Sequence, residues 1–325
     1  MKRRAFLYGA LCSTLAAPAR AQPSENARRV GFLGLADASS AQHLVHAFRE
    51  GLRERGWVED GDILLEYRWA EGRLRRLTDL AGELARSGVD VIVAEGTPGA
   101  HAARHVTRTI PVVMVGAGDP AASGLVRNLV RPGGNLTGSS LMAPELGVRQ
   151  LELLKEAVPG LSRVGVLWNA YTVYPWQVVQ AMERVAPALG LQLEPLELRF
   201  PKDLDPVFET ALVRGVGALL AVEDPFTMAH RARIVDFAAQ SRLPAIYGSR
   251  EFLEAGGLMM YGADVRVLFR RAASYVDRIL KGASPGDLPI ERPTTFELVI
   301  NLKTARALGL SLSPSLLRRA DQVME

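Results

Sequence analysis

VDVIVAEGTPGAHAARHV, Val89 to Val106, is the stretch that decides the architecture. Val91 to Ala94 form an apolar run rich in β-branched side chains, which reads as a short strand buried on both faces. The run breaks at Glu95-Gly96-Thr97-Pro98, and a helical pattern starts at once. Pro98 suits the first helical position, where a missing N–H costs nothing, so Thr97 is expected at the cap beside free backbone N–H groups. A strand that turns directly into a helix is half of a βαβ unit.

The same alternation extends in both directions. Arg28 to Ala36 reads as a strand. In Ala41 to Gly56, Leu44, Val45, Phe48 and Leu52 recur at helical spacing and Gly56 suits the helix end. Asp62 to Ala70 is a second strand, Arg73 to Gly88 a helix, and IPVVMVGAGD a fourth strand, with LTGSS near Leu136 as a short fifth. After Gly133-Gly134 the pattern restarts: helix Glu145–Pro159, strand Ser162–Asn169, helix Pro175–Leu189, then LQLEPLEL, a helix, VGALLAVED and a further helix. Leu243 to Gly262 holds a strand, a short helix and another strand. Alternating elements with short links predict parallel sheets covered by helices on both faces.

The fold class expected is α/β: two doubly wound parallel-sheet lobes joined by a hinge. Residues 28–142 form the N-terminal lobe and 143–263 the C-terminal lobe. No low-complexity linker separates them, so the hinge is a few crossing segments and not a flexible tether. Periodicity alone assigns Leu268–Gly282 to neither lobe. We expect residues 264–282 to pack back on the first lobe and 283–325 to supply a hinge crossing and a helical tail.

The 325 residues are 48% hydrophobic and 23% charged, a globular balance, with formal charge +4 and pI near 9.4. The first residues account for that basicity. Met1 to Ala21 has the order of a secretory signal: Lys2, Arg3 and Arg4, an apolar run from Ala5 to Ala17, then Ala19-Arg20-Ala21. The apolar run is shorter than the roughly 20 residues that span a bilayer. Arg3-Arg4-Ala5-Phe6-Leu7 also fits a twin-arginine pattern. Cleavage after Ala21 removes four cations and no acid, taking the charge from +4 to zero. An exported chain of zero net charge has no overall electrostatic case for nucleic acid. The one cysteine, Cys12, lies inside the signal behind Leu11, a poor lipidation context, so a periplasmic product without disulfides is expected.

No motif points to catalysis. Gly116 to Ala121 fits G-x-G-x-x-A only loosely, and Asp119-Pro120 would put a negative charge where a pyrophosphate belongs. His43/His46 and His101/His105 lack a third metal ligand. There is no G-x-S-x-G, H-E-x-x-H or P-loop sequence, and the adjacent Glu223 and Asp224 should point apart at a strand exit. We therefore expect no catalytic residue, metal or cofactor. Ligands of open α/β sheets bind beyond the carboxyl ends of the strands. That rule selects Ala36, Gly96, Thr97, Pro98 and Asp119 in the first unit, and Asn169, Tyr171, Glu223, Asp224, Ser249 and Arg250 in the second. Thr97 and nearby N–H groups, facing Asn169, Ser249 and Arg250, are the expected donors. Asp119, Glu223 or Asp224 would take a ligand amine.

REFLEAGGLMMYG (Arg250–Gly262), LPIERPTTFELVINLKTARALGLSLSPSLLRRADQVME (Leu288–Glu325) and GDPAASGLVRNLVRPGGNLTG (Gly118–Gly138) resemble signatures of the ABC-transporter substrate-binding protein family that has tryptophan-binding relatives. EGTPGA, Glu95–Ala100, resembles its strand-three turn. The resemblance covers nearly all of the chain after the signal, and departs at Glu95 and around Tyr171. It implies a type I periplasmic-binding-protein fold, three hinge crossings, and a small organic solute, such as an amino acid, delivered to an ABC permease. Two other roles are carried along: a module reporting a ligand to a membrane sensor, and a periplasmic hydrolase.

Overall fold

The computed structural model describes residues 27–325. The expected signal, Cys12 and the cleavage site lie outside the described residues.

The first sheet contains β1 (Arg28–Gly34), β2 (Ile63–Trp69), β3 (Val91–Glu95), β4 (Val112–Ala117) and β5 (Leu136–Ser140). Its order is β2-β1-β3-β4-β5, parallel throughout. Alternation along β3 shows why its sequence is continuously apolar. Val91 and Val93 pack into the core on one face, and Ile92 and Ala94 into the core on the other. The second sheet contains β6 (Arg163–Asn169), β7 (Gln192–Leu198), β8 (Ala218–Ala221), β9 (Ala245–Tyr247), β10 (Met259–Ala263), β11 (Phe296–Asn301) and β12 (Gln322–Met324), in the order β12-β11-β10-β9-β8-β6-β7. The protein thus consists of two doubly wound α/β lobes. In both, the strand order turns around after the first strand, leaving a crevice between β1 and β3 and another between β6 and β8.

Helix Val265–Leu280 follows the last parallel strand of the second lobe, yet Phe269, Ala272, Ala273 and Val276 lie in the core of the first. It packs against helix Gln42–Arg53, where a methyl on Gly51 would stand 2.4 Å from the Arg270 carbonyl oxygen. Arg270 pairs with Glu54, and the Trp57 indole N–H donates to Asp277 at 2.9 Å.

The tail differs from the helical segment expected. Besides the short helices Leu302–Ala307 and Pro314–Arg319 it supplies β11, antiparallel to β10, and β12. Leu298 and Ile300 face one core of the second lobe and Val299 the other.

Three segments join the lobes: Leu141–Met142 after β5, Asp264 after β10, and residues 292–295 before β11. The third is tied to the first sheet just before it leaves, since Ser140 N–H donates to Glu291 O and Glu291 N–H to Gly138 O, both at 2.9 Å. Met142 is left-handed, with φ 54°, and its N–H donates to Ser140 Oγ. A non-glycine residue in that region stores strain. Here it sits on the first crossing.

Candidate functional site

Two strand exits meet across each crevice. In the first lobe the Glu95 carboxylate reaches back to accept the Leu35 N–H at 2.7 Å, closing the gap between β3 and β1. Burial raises its pKa against the lowering effect of that bond. Helix Gly96–Val106 begins one residue after Glu95, which occupies the cap position. Thr97 is therefore inside the first turn and not the expected cap, and Pro98 is not the opening residue. The Thr97 hydroxyl instead accepts the Gly118 N–H at 3.0 Å, across to the turn after β4. Asp119 caps its own loop by accepting from Ala121 and Ala122 N–H. Ala36 is half-buried at the exit of β1.

In the second lobe Asn169 donates to Asp224 at 2.5 Å and accepts the Tyr171 N–H at 2.9 Å. Asp224, 2% exposed, also accepts from Thr227 N–H and caps helix Pro225–Ala229. Burial pushes its pKa up, opposed by the bonds from Thr227 and Asn169. Both side chains are thus occupied in tying β6 to β8.

Glu223 and Asp224 point apart. Glu223 faces a cavity of about 40 Å³ at the hinge, lined by Leu141, Ala143, Gln150, Gly248, Ala263 and Val265 among others. As it stands, that space admits a few waters. Gly248 makes room for the carboxylate: a methyl there would stand 2.2 Å from its Oε2. Among the described residues no hydrogen bond to the Glu223 carboxylate is formed. Burial, then Glu251 and Asp224, push its pKa up to about 8. Next to Gly248, Ser249 is 4% exposed and its hydroxyl has no partner. A buried hydroxyl without a partner costs about 1–3 kcal/mol, so Ser249 is suited to an added hydrogen-bonding group.

Arg250 does not join them. Its guanidinium bonds Glu297 at 2.8 Å and Gln322 at 2.7 Å, fastening the tail strands. Tyr171 is 61% exposed at the rim. Two groups absent from the strand-exit set also belong here. Gln150 donates to the Tyr261 carbonyl at 2.7 Å beside the cavity. Tyr174, on the first turn of helix Val173–Val185, donates its hydroxyl to the Glu223 carbonyl at 2.7 Å. Tyr174 lies two residues into the helix that follows the β6 exit, just beyond the residues the strand-exit rule selects.

The sequence profile described as "ABC transporter substrate binding protein" matches residues 30–324. The chain belongs to that family. It is a substrate-binding protein, not an enzyme. It is similar to the tyrosine-binding protein of Clostridioides difficile (strain R20291), with 25% identity over 288 residues, 88% of this chain and 82% of that one. Among solved structures it resembles an ABC domain in complex with L-Trp from Streptococcus pneumonia, with 26% identity, TM-score 0.85, and 92% of this chain and 100% of that one covered. A leucine-binding protein from Thermotoga maritima shares the fold at TM-score 0.63 and 14% identity, over 80% of this chain and 84% of that one. Among the described residues no helix is long and apolar enough to cross a membrane.

Proposed function

We propose that this protein binds a small, amine-bearing organic solute between its lobes in the periplasm and delivers it to an ABC permease. The observation that carries the reading is a pair of groups at the exits of β8 and β9 that form no hydrogen bond among the described residues: the half-buried Glu223 carboxyl and the buried Ser249 hydroxyl. An ammonium would supply the donors and charge that the carboxylate lacks. The relatives' printed ligands, tyrosine and L-Trp, both carry an amine, which supports the same class here. In this reading Gly96, Pro98 and Ala36 line the first jaw with backbone and apolar surface, while Tyr171 covers the rim. Asn169, Asp224, Thr97 and Asp119 hold the turns in shape. Arg250 stands outside the contact set.

The test begins with native mass spectrometry of protein purified from periplasm without refolding, which reads the mature mass and any retained solute. Cleavage after Ala21 is expected. Calorimetric titrations with L-tryptophan, L-tyrosine, tryptamine and 1,5-diaminopentane then compare affinity at pH 6 and pH 8. An ammonium that binds an ionised Glu223 must displace its proton, so affinity rises with pH over this range. Retention of a solute without an amine, or affinity that does not change with pH, would refute the assignment.

A further inference from the structure

The Gly118 turn is pinned on three sides. Its N–H donates to Thr97 Oγ1 at 3.0 Å, and its carbonyl accepts from Ala143 N–H at 3.1 Å and Ser140 Oγ at 3.3 Å. Gly118 is therefore fixed to the first lobe through Thr97 and Ser140 and, just past the first crossing, to Ala143 at the start of the next helix. On its open side lies the Tyr174 ring, which belongs to the second lobe. A methyl on Gly118 would stand 2.6 Å from Tyr174 Cδ2 and 2.8 Å from Cγ. The ring itself is fixed, being 7% exposed with its hydroxyl bound to the Glu223 carbonyl at 2.7 Å.

We infer that Tyr174 is a positioning residue for lobe closure, its ring forming the surface against which the bare Gly118 backbone of the opposite lobe comes to rest. The inference rests on the reading that solute is held between the lobes, but its geometry does not involve the solute. Two bodies that turn about short crossings need a contact that sets the end of the motion. Packed interfaces offer discrete resting positions because overlap is strongly repulsive. An ordinary carbon contact begins near 3.4 Å. A methyl at 118 must therefore push the ring and backbone apart by about 1 Å. The contact lies beside the first crossing, so a small wedge there is magnified at the far rim of the lobes.

Small-angle scattering of the ligand-free protein tests this. Gly118→Ala is expected to shift the radius of gyration upward. Tyr174→Phe, which keeps the ring, should leave the radius at the wild-type value. The double variant Gly118→Ala/Tyr174→Ala, which removes the obstacle, should return the radius toward wild type. A merely structural role would lower the melting temperature in all three variants without this pattern in the radii. Should Gly118→Ala fail to give folded protein, Tyr174→Trp presses a larger ring on the same glycine and carries the same expectation. Equal radii for wild type and Gly118→Ala, or a double variant as expanded as the single, overturn the inference. Titration results leave these radii untouched, so failure of the solute reading is seen separately.

Discussion

Replacing Glu223 with glutamine should change how stability depends on pH, in a direction the structure fixes. The carboxyl has a pKa of about 8 in the folded protein, against 4.5 as its ordinary value, because burial, Glu251 and Asp224 all penalise its charge. The folded state therefore binds the proton more tightly than the unfolded chain. The associated stability is complete below pH 4.5, falls as pH rises through the window up to about 8, and is gone above it. At about 1.4 kcal/mol per pKa unit the ceiling is about 5 kcal/mol. Water in the hinge cavity and relaxation around the ionised group reduce that, and about 1–3 kcal/mol is the expected loss. Glu223→Gln lacks the titrating group and lacks this slope. Both proteins keep Glu95 and Asp224, whose contributions largely cancel in the comparison. Calorimetric melting of ligand-free protein at intervals from pH 5 to pH 9 is the assay. The variant's melting temperature should gain a few degrees on wild type as pH rises, at about 2–4 °C per kcal/mol. Parallel curves across the whole range would show that the carboxyl is not enclosed, and the electrostatic account of the hinge would fall.

Thr97→Val removes the hydroxyl that accepts a buried N–H, so it should lower ligand-free stability by about 1–3 kcal/mol, read by urea unfolding. Arg250→Ala should leave solute affinity within about twofold of wild type and cost less than about 1 kcal/mol, because its ion pair with Glu297 is partly exposed. Met142→Gly relieves a left-handed conformation worth about 1 kcal/mol or more, and a raised melting temperature is the expected result.

Much of the fold was legible because parallel strands covered on both faces carry their own signature. Arg28–Gly34, Val91–Glu95 and Ala218–Ala221 could be found from apolar runs alone. The tail was harder. Phe296–Asn301 has the alternation of a strand, but its partner is β10, and an antiparallel pairing across a hinge crossing is a tertiary choice that no local pattern encodes. The site divides in the same way. The strand-exit rule selects Glu223 and Ser249, the two groups proposed here to meet the solute. It did not separate them from Asp224, Asn169 and Arg250, whose hydrogen bonds are used up internally. Arg250 is tied to Glu297 and Gln322, 47 and 72 residues further on, and Thr97 is tied to Gly118, 21 residues on. Position along the chain gives candidate residues; which of them stay free depends on contacts that form only after folding.

The return of helix Val265–Leu280 to the first lobe, and of β11 and β12 to the second, has a consequence for synthesis. As the chain emerges from the ribosome, the groove beside Gly51 waits for Ala273 while strands β6 to β10 of the second sheet are still being made. That sheet in turn has an open edge at β10 until Phe296–Asn301 arrives. Neither lobe can be finished first, although multidomain chains usually fold one unit at a time from the N-terminus. A chain truncated before residue 265 would leave Phe48 and Phe32 without Phe269 in their shared core, exposing apolar surface of the kind that recruits chaperones or aggregates.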